Sequence, residues 1–300
     1  MAAPGGSSRV IGITLGDAAG IGPEIIDAAL ASGQLDASWE YRIFGDRTTA
    51  AGMPTAGSSR DAIAALEAAV QRAIAGELAA VVTGPVSKAL VQREGFPFPG
   101  QTEFFAARTG TRNFAMCLTG GSLTVALVTA HVPLRDVAAL LSAPEIVRVG
   151  GLLAEFVARR LSRQPRIAVA GLNPHAGESG ALGREEIEII EPATLLLNGE
   201  FGEVAAFSGP LSPDTVFHRA AAEEFDGVLC MYHDQGLIPL KLHAFDSGVN
   251  VTLGLPFPRT SPDHGTAFEL AGKGLARPNS MIAAIRLATE LATQRQSHDG

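Results

Sequence analysis

The chain has few of the residues that mark secreted and disulfide-stapled proteins. Only two of its 300 residues are cysteines, Cys117 and Cys230, and both lie inside apolar runs. Two cysteines cannot build a dense disulfide framework, and buried free thiols are typical of proteins in a reducing compartment. We therefore expect a cytoplasmic protein with both thiols free.

Positive charge is also scarce. Lys and Arg together number 23 against 31 Asp and Glu, which gives a formal net charge of −8 and a pI near 5.4. Surfaces that bind nucleic acids or anionic membranes need a basic footprint. The composition therefore predicts no nucleic-acid partner and no membrane partner, and it favours a small molecule instead.

Long hydrophobic runs and a dinucleotide fingerprint are missing as well. No apolar run reaches the roughly 18 residues of a transmembrane helix, and MAAPGGSSR is too short in apolar residues for a signal peptide. The glycine-rich stretch GDAAGIGPEI does not have the GxGxxG spacing. A Rossmann-type nucleotide turn is therefore not expected.

What the chain does have is a regular alternation of apolar runs with longer amphipathic stretches. The runs RVIGITLGD, AAVVTG, LTVALVTA, RIAVAGLN, DGVLCMY and GVNVTLGL are each followed, directly or after a loop, by a segment with helical character. Nearly continuous apolar strands separated by helices indicate a mostly parallel sheet covered on both faces. The sequence therefore predicts an α/β fold.

Three of the seven histidines follow predicted strands. His131 comes after LTVALVTA, His175 after RIAVAGLNP and His233 after DGVLCMY. In open α/β sheets ligands bind at the carboxyl ends of the strands, and neutral imidazoles converging there are suited to a divalent transition metal. We interpret the three as metal ligands, although any one alone would more often be structural.

Three aspartates lie close in sequence to these histidines. Asp136, Asp234 and Asp263 could orient imidazoles or move protons. A structural role as helix N-caps is an equal alternative for Asp136 and a weaker one for Asp234. His218, His243 and His298 lie in helical or terminal contexts, and we assign them no role.

Longer motifs carry a resemblance to a known family. They are GDAAGIGPEI, VTGPVSK, FPFPGQTEF, TAHVPLRDV, LNPHAGESGALGREE, GPLSPDT, MYHDQGLIPLK and GVNVTLGLPFPRTSPDHGTAFELAGKG. In this order, over about residues 10 to 290, they resemble the 4-hydroxythreonine-4-phosphate dehydrogenase family of pyridoxal phosphate biosynthesis.

The resemblance implies a two-lobed fold like that of isocitrate and isopropylmalate dehydrogenases. Residues 1–112 with 247–300 are expected to form one lobe and residues 113–246 the other, with the active site in the cleft between them. The resemblance further implies a homodimer that holds a divalent metal at the subunit interface, on His131, His175 and His233.

Other site residues follow from the same resemblance. The substrate-binding positions fall on Thr102, Lys241, Asn250 and Arg259, and Gln101 takes the place of a further one. Asp234 and Lys241 are the candidates for a catalytic role, with Asp234 preferred for proton transfer. The metal is expected to be zinc, with cobalt or magnesium as alternatives.

The segment HGTAFELAGKG, residues 264–274, also resembles the nucleotide-binding segment of β-decarboxylating hydroxyacid dehydrogenases. It implies that NAD or NADP contacts His264, Gly265, Thr266 and Gly272. The alternative is a glycine-rich connection between elements that binds nothing.

Two positions depart from the family pattern. Gln101 stands where the family usually has His, and Ser87 stands where Asn is usual. A glutamine can donate a hydrogen bond but cannot carry positive charge towards a phosphate. The stretch between FGDRTTAAGMP and DAIAALEAAV is also shorter than in the family.

The implied reaction is oxidation of the secondary alcohol of 4-phosphohydroxy-L-threonine, followed by loss of carbon dioxide. The product would be 3-amino-2-oxopropyl phosphate. Because of Gln101, a related substrate stays open, either D-threonate or D-erythronate 4-phosphate or an aromatic cis-dihydrodiol dicarboxylate. A protein that binds metal and metabolite without catalysis is the alternative from another class.

Overall fold

The computed structural model describes residues 8–161 and 163–299. The chain forms two compact units, the first made of Met1–Arg112 and Val249–Gly300 and the second of Asn113–Gly248. The strands are β1 Val10–Thr14, β2 Glu40–Phe44, β3 Ala80–Thr83, β4 Ala115–Gly120, β5 Leu123–Leu127, β6 Arg166–Ala170, β7 Ala206–Leu211, β8 Gly227–Cys230, β9 Val249–Leu253 and β10 Arg259–Pro262.

Within the described residues, ten α-helices alternate with these strands. They are α1 Gly22–Ala31, α2 Ala56–Ile74, α3 Lys88–Arg93, α4 Gln101–Thr109, α5 Val137–Leu140, α6 Ala143–Arg160, α7 Glu191–Phe201, α8 Pro213–Ala221, α9 His233–Ala244 and α10 Asn279–Asp299. The predicted alternation of strands and helices is confirmed, and so is the α/β fold class.

The first unit is built on strands in the order β2, β1, β3, β10, β9. All neighbouring pairs are parallel except β10 with β9, which are antiparallel. Strand β3 is fully buried and β1 is buried except at Val10, as the apolar runs AVVT and VIGIT predict. The long helix α2 begins in a reciprocal cap, because the Thr55 hydroxyl accepts from the Ser58 N–H and the Ser58 hydroxyl accepts from the Thr55 N–H.

The second unit is built on strands in the order β4, β5, β8, β6, β7. Only β4 and β5 are antiparallel. Both cysteines are buried and unpaired here, and burial raises the pKa of the Cys117 thiol to about 12. The prediction of free thiols is therefore confirmed, and at neutral pH the Cys117 thiol is protonated and unreactive.

A glycine allows helix α9 to lie directly on this sheet. A Cβ atom at Gly236 would lie 3.0 Å from Cys230 Sγ and 3.2 Å from side-chain carbons of Leu127 and Val125. Any larger residue would push the helix away from β5 and β8. The segment that follows the β8 strand is therefore held close to the strand ends.

The order of the strands explains why the three histidines lie on one edge. Strands β5, β8 and β6 are parallel neighbours, and His131, His233 and His175 follow them in that order. Parallel strands put their carboxyl ends at the same edge of the sheet. The strand-end placement predicted from the sequence is confirmed by this topology.

No single helix among the described residues is long and apolar enough to cross a membrane. One bent pair, Leu134–Leu140 with Ala143–Arg160, passes that test on length and composition only.

At the opposite edge, the Asp226 carboxylate joins the amino ends of β6 and β8. It accepts hydrogen bonds from the Arg163 guanidinium at 2.5 and 2.8 Å and from the Arg166 N–H at 2.8 Å. Burial by itself raises the pKa of Asp226, but these hydrogen bonds outweigh it and the pKa is lowered. Because the pKa is lower in the folded state, the carboxylate stabilises the fold above the unfolded pKa of about 4, and that contribution disappears as the pH falls through the folded pKa.

We expect Asp226→Asn to lower the free energy of unfolding by about 1–2 kcal/mol at pH 7, because it weakens hydrogen bonds to a charged group. Urea unfolding between pH 7 and pH 3.5 should show the gap between native protein and variant shrinking at the acidic end. Glu155→Gln removes an exposed ion pair with Arg159 and is the control, with little change expected at any pH. A gap that is independent of pH would contradict this account.

Candidate active site

The imidazoles of His131 and His233 lie side by side in the second unit. Their ring centroids are 5.5 Å apart, with 40° between the ring planes. His131 has a φ of 53°, a left-handed conformation that non-glycine residues rarely adopt. Backbone strain of this kind concentrates at functional sites, where the surrounding structure holds it in place.

The His233 ring is oriented by the residue that follows it. His233 Nδ1 lies 2.7 Å from Asp234 Oδ1, and the Asp234 side chain is otherwise largely exposed. With the proton on Nδ1 donated to the carboxylate, the Nε2 lone pair is left to accept a metal. This geometry supports the orienting role that the sequence offered for Asp234.

His175 lies on an unusual turn after β6. His175, Ala176, Gly177, Glu178 and Ser179 all have φ between 43° and 79°, so the chain makes a left-handed turn there. The His175 Nδ1 atom is 3.8 Å from Asp214 Oδ2, and both side chains are exposed. The Ser212 hydroxyl lowers the pKa of Asp214, and His175 adds a smaller effect in the same direction.

The donor set fits a divalent metal, but one chain does not complete it. With metal–nitrogen bonds of about 2 Å, two imidazoles on one tetrahedral ion have centroids roughly 5 Å apart, close to the spacing of His131 and His233. The carboxylate on His233 is a further feature of metal-binding imidazoles. Among the side chains that the structure describes, however, no group of three or more His, Cys, Asp or Glu residues is placed to hold an ion.

In the first unit, Arg259 is a buried cation whose hydrogen-bond acceptors are neutral groups. Its guanidinium donates to Thr83 Oγ1 at 2.5 Å, to Gln101 Oε1 at 2.7 Å and to Thr252 Oγ1 at 3.3 Å. Among the described residues nothing accepts a hydrogen bond from its Nε. Burial lowers the pKa of Arg259 to about 10, with the Glu103 carboxylate opposing that shift, so the side chain is still charged at neutral pH.

Two further predicted substrate residues lie close to this guanidinium. The Thr102 hydroxyl is 3.3 Å from the Thr252 hydroxyl, which itself accepts from Arg259. Asn250 lies two residues before Thr252 on β9 and therefore on the same face of the strand. Its buried Oδ1 has no hydrogen-bond partner within the described part of the chain. The structure thus brings Gln101, Thr102, Asn250 and Arg259 into one polar region.

Gln101 uses both ends of its amide inside the protein. Its carbonyl oxygen accepts from Arg259, and its Nε2 donates to the Gly84 carbonyl at 3.2 Å. Sequence reasoning treated Gln101 as a contact to substrate and missed that it fixes Arg259. Thr83 and Thr252, which share that task, were also missed because a threonine on a strand gives no signal in the sequence.

Lys241 belongs to the second unit, on the last turn of α9. In the first unit, Lys88 lies near the start of α4. A Cβ atom added at Gly100, the residue before α4, would be 3.9 Å from Lys88 Nζ and 3.1 Å from Glu103 Oε2. Lys88 was not assigned a role from the sequence, although it begins α3 directly after the VTGPVS loop.

The predicted nucleotide segment is anchored on Ile21, the residue before α1, and on Glu24 in the first turn of α1. Thr266 O accepts from the Ile21 N–H at 2.9 Å, and the Gly272 N–H donates to Glu24 Oε2 at 3.0 Å. The buried His264 Nε2 has no hydrogen-bond partner in the described residues, and a Cβ at Gly265 would meet open space. An unsatisfied imidazole nitrogen next to an open backbone suits a polar ligand such as a dinucleotide.

Comparison with known proteins gives one consistent result. A family model described as pyridoxal phosphate biosynthetic protein PdxA matches residues 24–288. The 4-hydroxythreonine-4-phosphate dehydrogenase of Caulobacter vibrioides is 47% identical over 251 residues, covering 81% of this chain and 74% of that protein. The structure of 4-hydroxythreonine-4-phosphate dehydrogenase from Klebsiella pneumoniae is 36% identical, with a TM-score of 0.80, and covers 95% of this chain and all of that one.

More distant structures place the fold. A terephthalate 1,2-cis-dihydrodiol dehydrogenase from Burkholderia xenovorans is 27% identical with a TM-score of 0.65, covering 94% of this chain and 97% of that one. Isocitrate dehydrogenase from Methylococcus capsulatus is only 16% identical, with a TM-score of 0.52, covering 97% and 88%. The last likeness confirms the expected isocitrate dehydrogenase-like fold and nothing further. By the family match and the identity to its relatives, this chain belongs to the PdxA family of pyridoxal phosphate biosynthetic proteins.

Proposed function

We propose that this chain is an NAD(P)-dependent 4-hydroxythreonine-4-phosphate dehydrogenase. It oxidises the secondary alcohol of 4-phosphohydroxy-L-threonine and releases the carboxylate as carbon dioxide, leaving 3-amino-2-oxopropyl phosphate. Hydride passes to the nicotinamide, the hydroxyl proton passes to a base, and the enolate left when carbon dioxide departs takes up a proton on carbon. We place the enzyme in the cytoplasm, because both thiols are free and buried.

The observation that carries the proposal is the buried Arg259 charge. Its hydrogen-bond acceptors are two hydroxyls and an amide, none of which neutralises a guanidinium. A buried cation without a directly bonded carboxylate is costly unless an anion joins it. A substrate phosphate or carboxylate supplies that anion, with Thr102 and Asn250 as neutral donors beside it. Lys241 is assigned to the same substrate.

His131, His175 and His233 would hold the divalent ion, drawn from the two copies of a homodimer because one chain does not bring three donors together. Zinc suits this nitrogen set, with cobalt or magnesium as alternatives. When bound, such an ion lowers the pKa of a coordinated hydroxyl. In the chain itself, Asp234 keeps the proton on His233 Nδ1. Proton transfer by Asp234 or Lys241 stays a prediction.

The nicotinamide cofactor is assigned to residues 264–274. The open backbone at Gly265 would face it, beside the buried His264 Nε2 that has no hydrogen-bond partner among the described residues. Thr266 and Gly272 hold the segment onto Ile21 and onto Glu24 of α1. In this proposal the dinucleotide binds without a GxGxxG turn.

One rival substrate is an aromatic cis-dihydrodiol dicarboxylate, because the Burkholderia xenovorans structure shares the fold at 27% identity. A dicarboxylate would also neutralise Arg259. D-threonate and D-erythronate 4-phosphate are further alternatives that keep the phosphate. A non-catalytic protein that binds metal and metabolite is the alternative from another class, and a hydride-transfer assay separates it from an enzyme.

We expect the purified protein to reduce NAD or NADP with 4-phosphohydroxy-L-threonine in preference to these three alternatives, measured by the absorbance of the reduced nicotinamide. His175→Ala should lose bound metal and at least about a hundredfold in turnover, yet keep its melting temperature, because the ring is exposed. His218→Ala, an exposed histidine on α8, is the control. Efficient turnover of one of the three alternative substrates, without turnover of 4-phosphohydroxy-L-threonine, would overturn the substrate assignment.

Gln101→His tests whether the departure from the family changes the substrate. A neutral imidazole can also accept from Arg259, so kcat/KM for 4-phosphohydroxy-L-threonine should change less than about tenfold, or about 1.4 kcal/mol. Gln101→Leu leaves Arg259 without that acceptor and should weaken substrate use by more, mainly through KM. If Gln101→His instead improves this substrate by far more than tenfold, the native substrate is a different acid.

Helix α9 carries an exposed apolar stripe suited to a second copy of the chain. Ile238 and Leu242 on α9 and Phe245 directly after it are 65%, 87% and 74% exposed, and their helical spacing puts them on one face. The same helix begins at His233. Covering the stripe with another subunit would therefore bring a second set of residues to the histidines, as the proposed interface metal requires.

We expect Leu242→Asp to convert the homodimer to a monomer and to abolish turnover, because a charge cannot be buried in that interface without a partner. Light scattering gives the mass, and the nicotinamide assay gives the activity. Leu195→Asp makes the same change at an exposed leucine on α7 and should stay dimeric and active. A fully active monomer would contradict the shared site.

A further inference from the structure

The third residue of His-Asp-Gln, Gln235, is buried and bridges two strand ends. Its Oε1 accepts from the Met231 N–H at 2.7 Å, and its Nε2 donates to the Gly171 carbonyl at 2.6 Å. Met231 lies two residues before His233, and Gly171 lies four residues before His175. One side chain that is only 6% exposed therefore ties together the segments that carry two of the three histidines.

The segment that carries His131 joins the same network. Thr129 Oγ1 donates to the Met231 carbonyl at 2.7 Å, and the Thr129 N–H reaches the same oxygen at 3.2 Å. Thr129 lies two residues before His131. Met231 is consequently bonded on its N–H side to Gln235 and on its carbonyl side to Thr129, so all three histidine segments meet around it.

On the far side of Gly171, the Glu186 carboxylate fixes the start of the His175 turn. Its Oε1 accepts from the N–H groups of Leu172 and Asn173, both at 2.7 Å, and its Oε2 accepts from Asn173 Nδ2 at 3.0 Å. A Cβ at Gly177 would lie 2.7 Å from Glu186 Oε2. Glu186 is 2% exposed and begins a π-helical stretch, Glu186–Ile190, of the kind often found at functional sites.

This carboxylate is needed because the turn is strained. A left-handed conformation costs roughly 1–2 kcal/mol for each non-glycine residue, and four of the five residues 175–179 are not glycine. Such a turn persists only when surrounding contacts determine it. Glu186 supplies three hydrogen bonds to Leu172 and Asn173, which lead directly into the turn.

We propose that Gln235 is a positioning residue that fixes the separation of the His233 segment and the His175 turn, with Glu186 holding the turn at its far end. The inference rests on the proposed metal role of the histidines. Only an amide satisfies the site, because one end must accept from an N–H and the other must donate to a carbonyl. A carboxylate would put two acceptors face to face at Gly171.

The test compares Gln235→Glu with Asn198→Asp. Asn198 is a matched control, since its amide likewise accepts from the Phe207 N–H and donates to the Phe207 carbonyl, both at 3.0 Å, but it ties α7 to β7. For each full-length protein, Zn²⁺ affinity is measured by chelator competition. The visible absorption spectrum of the Co²⁺-loaded protein reports ligand geometry, and the melting temperature reports stability.

We expect Gln235→Glu to weaken Zn²⁺ binding roughly 10–100-fold and to alter the Co²⁺ spectrum. Asn198→Asp should lower the melting temperature while keeping native Zn²⁺ affinity and the native spectrum. A Gln235→Glu protein that loses melting temperature like the control, yet keeps Zn²⁺ affinity within threefold and an unchanged Co²⁺ spectrum, overturns the inference.

If Gln235→Glu does not fold, Glu186→Gln is tested instead, because it disturbs the other end of the His175 turn. We expect it to weaken Zn²⁺ binding and to alter the Co²⁺ spectrum in the same way, and the same contrary result would overturn the inference. A native protein that binds Zn²⁺ but does not oxidise 4-phosphohydroxy-L-threonine defeats the proposed function and leaves this inference to the affinity measurements. A native protein that binds neither Zn²⁺ nor Co²⁺ defeats both.

Discussion

The parallel pairing of β8 between β5 and β6 is the constraint on which the second unit depends. It puts the carboxyl ends of the three strands on one edge of the sheet, and a histidine follows each strand end within five residues. The four residues after Tyr232 then divide the work. His233 presents a ring nitrogen, and Asp234 fixes the tautomer of that ring. Gln235 joins the segments that follow β8 and β6. Gly236 lets α9 lie against β5 and β8. A polar segment behind a buried strand is explained by these four separate tasks.

Much of this organisation could be read from the sequence, because it depends on periodicity. The apolar runs predicted the strands. The rule that parallel strands end at one edge of the sheet predicted that the three histidines lie at that edge. The roles of Gln235 and Glu186 could not be predicted, because they depend on which strands are neighbours and on a left-handed turn after β6. Nothing local in LNPHAGESG signals that four non-glycine residues adopt positive φ. The resemblance supplied the substrate residues, which periodicity alone would not have found.

The first unit solves a different problem, the burial of a positive charge. Arg259 is surrounded by hydroxyls and an amide, which satisfy donors without cancelling the charge. A carboxylate in direct contact with Arg259 would stabilise the ligand-free protein, but it would compete with an anionic substrate for the guanidinium. Gln101 suits this arrangement, since its amide accepts from Arg259 and keeps a fixed charge state at every physiological pH. An imidazole there would lose its acceptor on protonation.

The two units therefore prepare for a ligand by opposite means. In the second, strain in the His175 turn, of order several kcal/mol, is held by the buried Glu186 carboxylate and by backbone hydrogen bonds, so the geometry exists before any ion binds. In the first, an electrostatic cost is left partly uncompensated, so binding an anion relieves it. Preformed geometry favours affinity by reducing what must be ordered on binding. An unpaired buried charge favours selectivity, because a neutral analogue of the substrate would leave the guanidinium as costly as before.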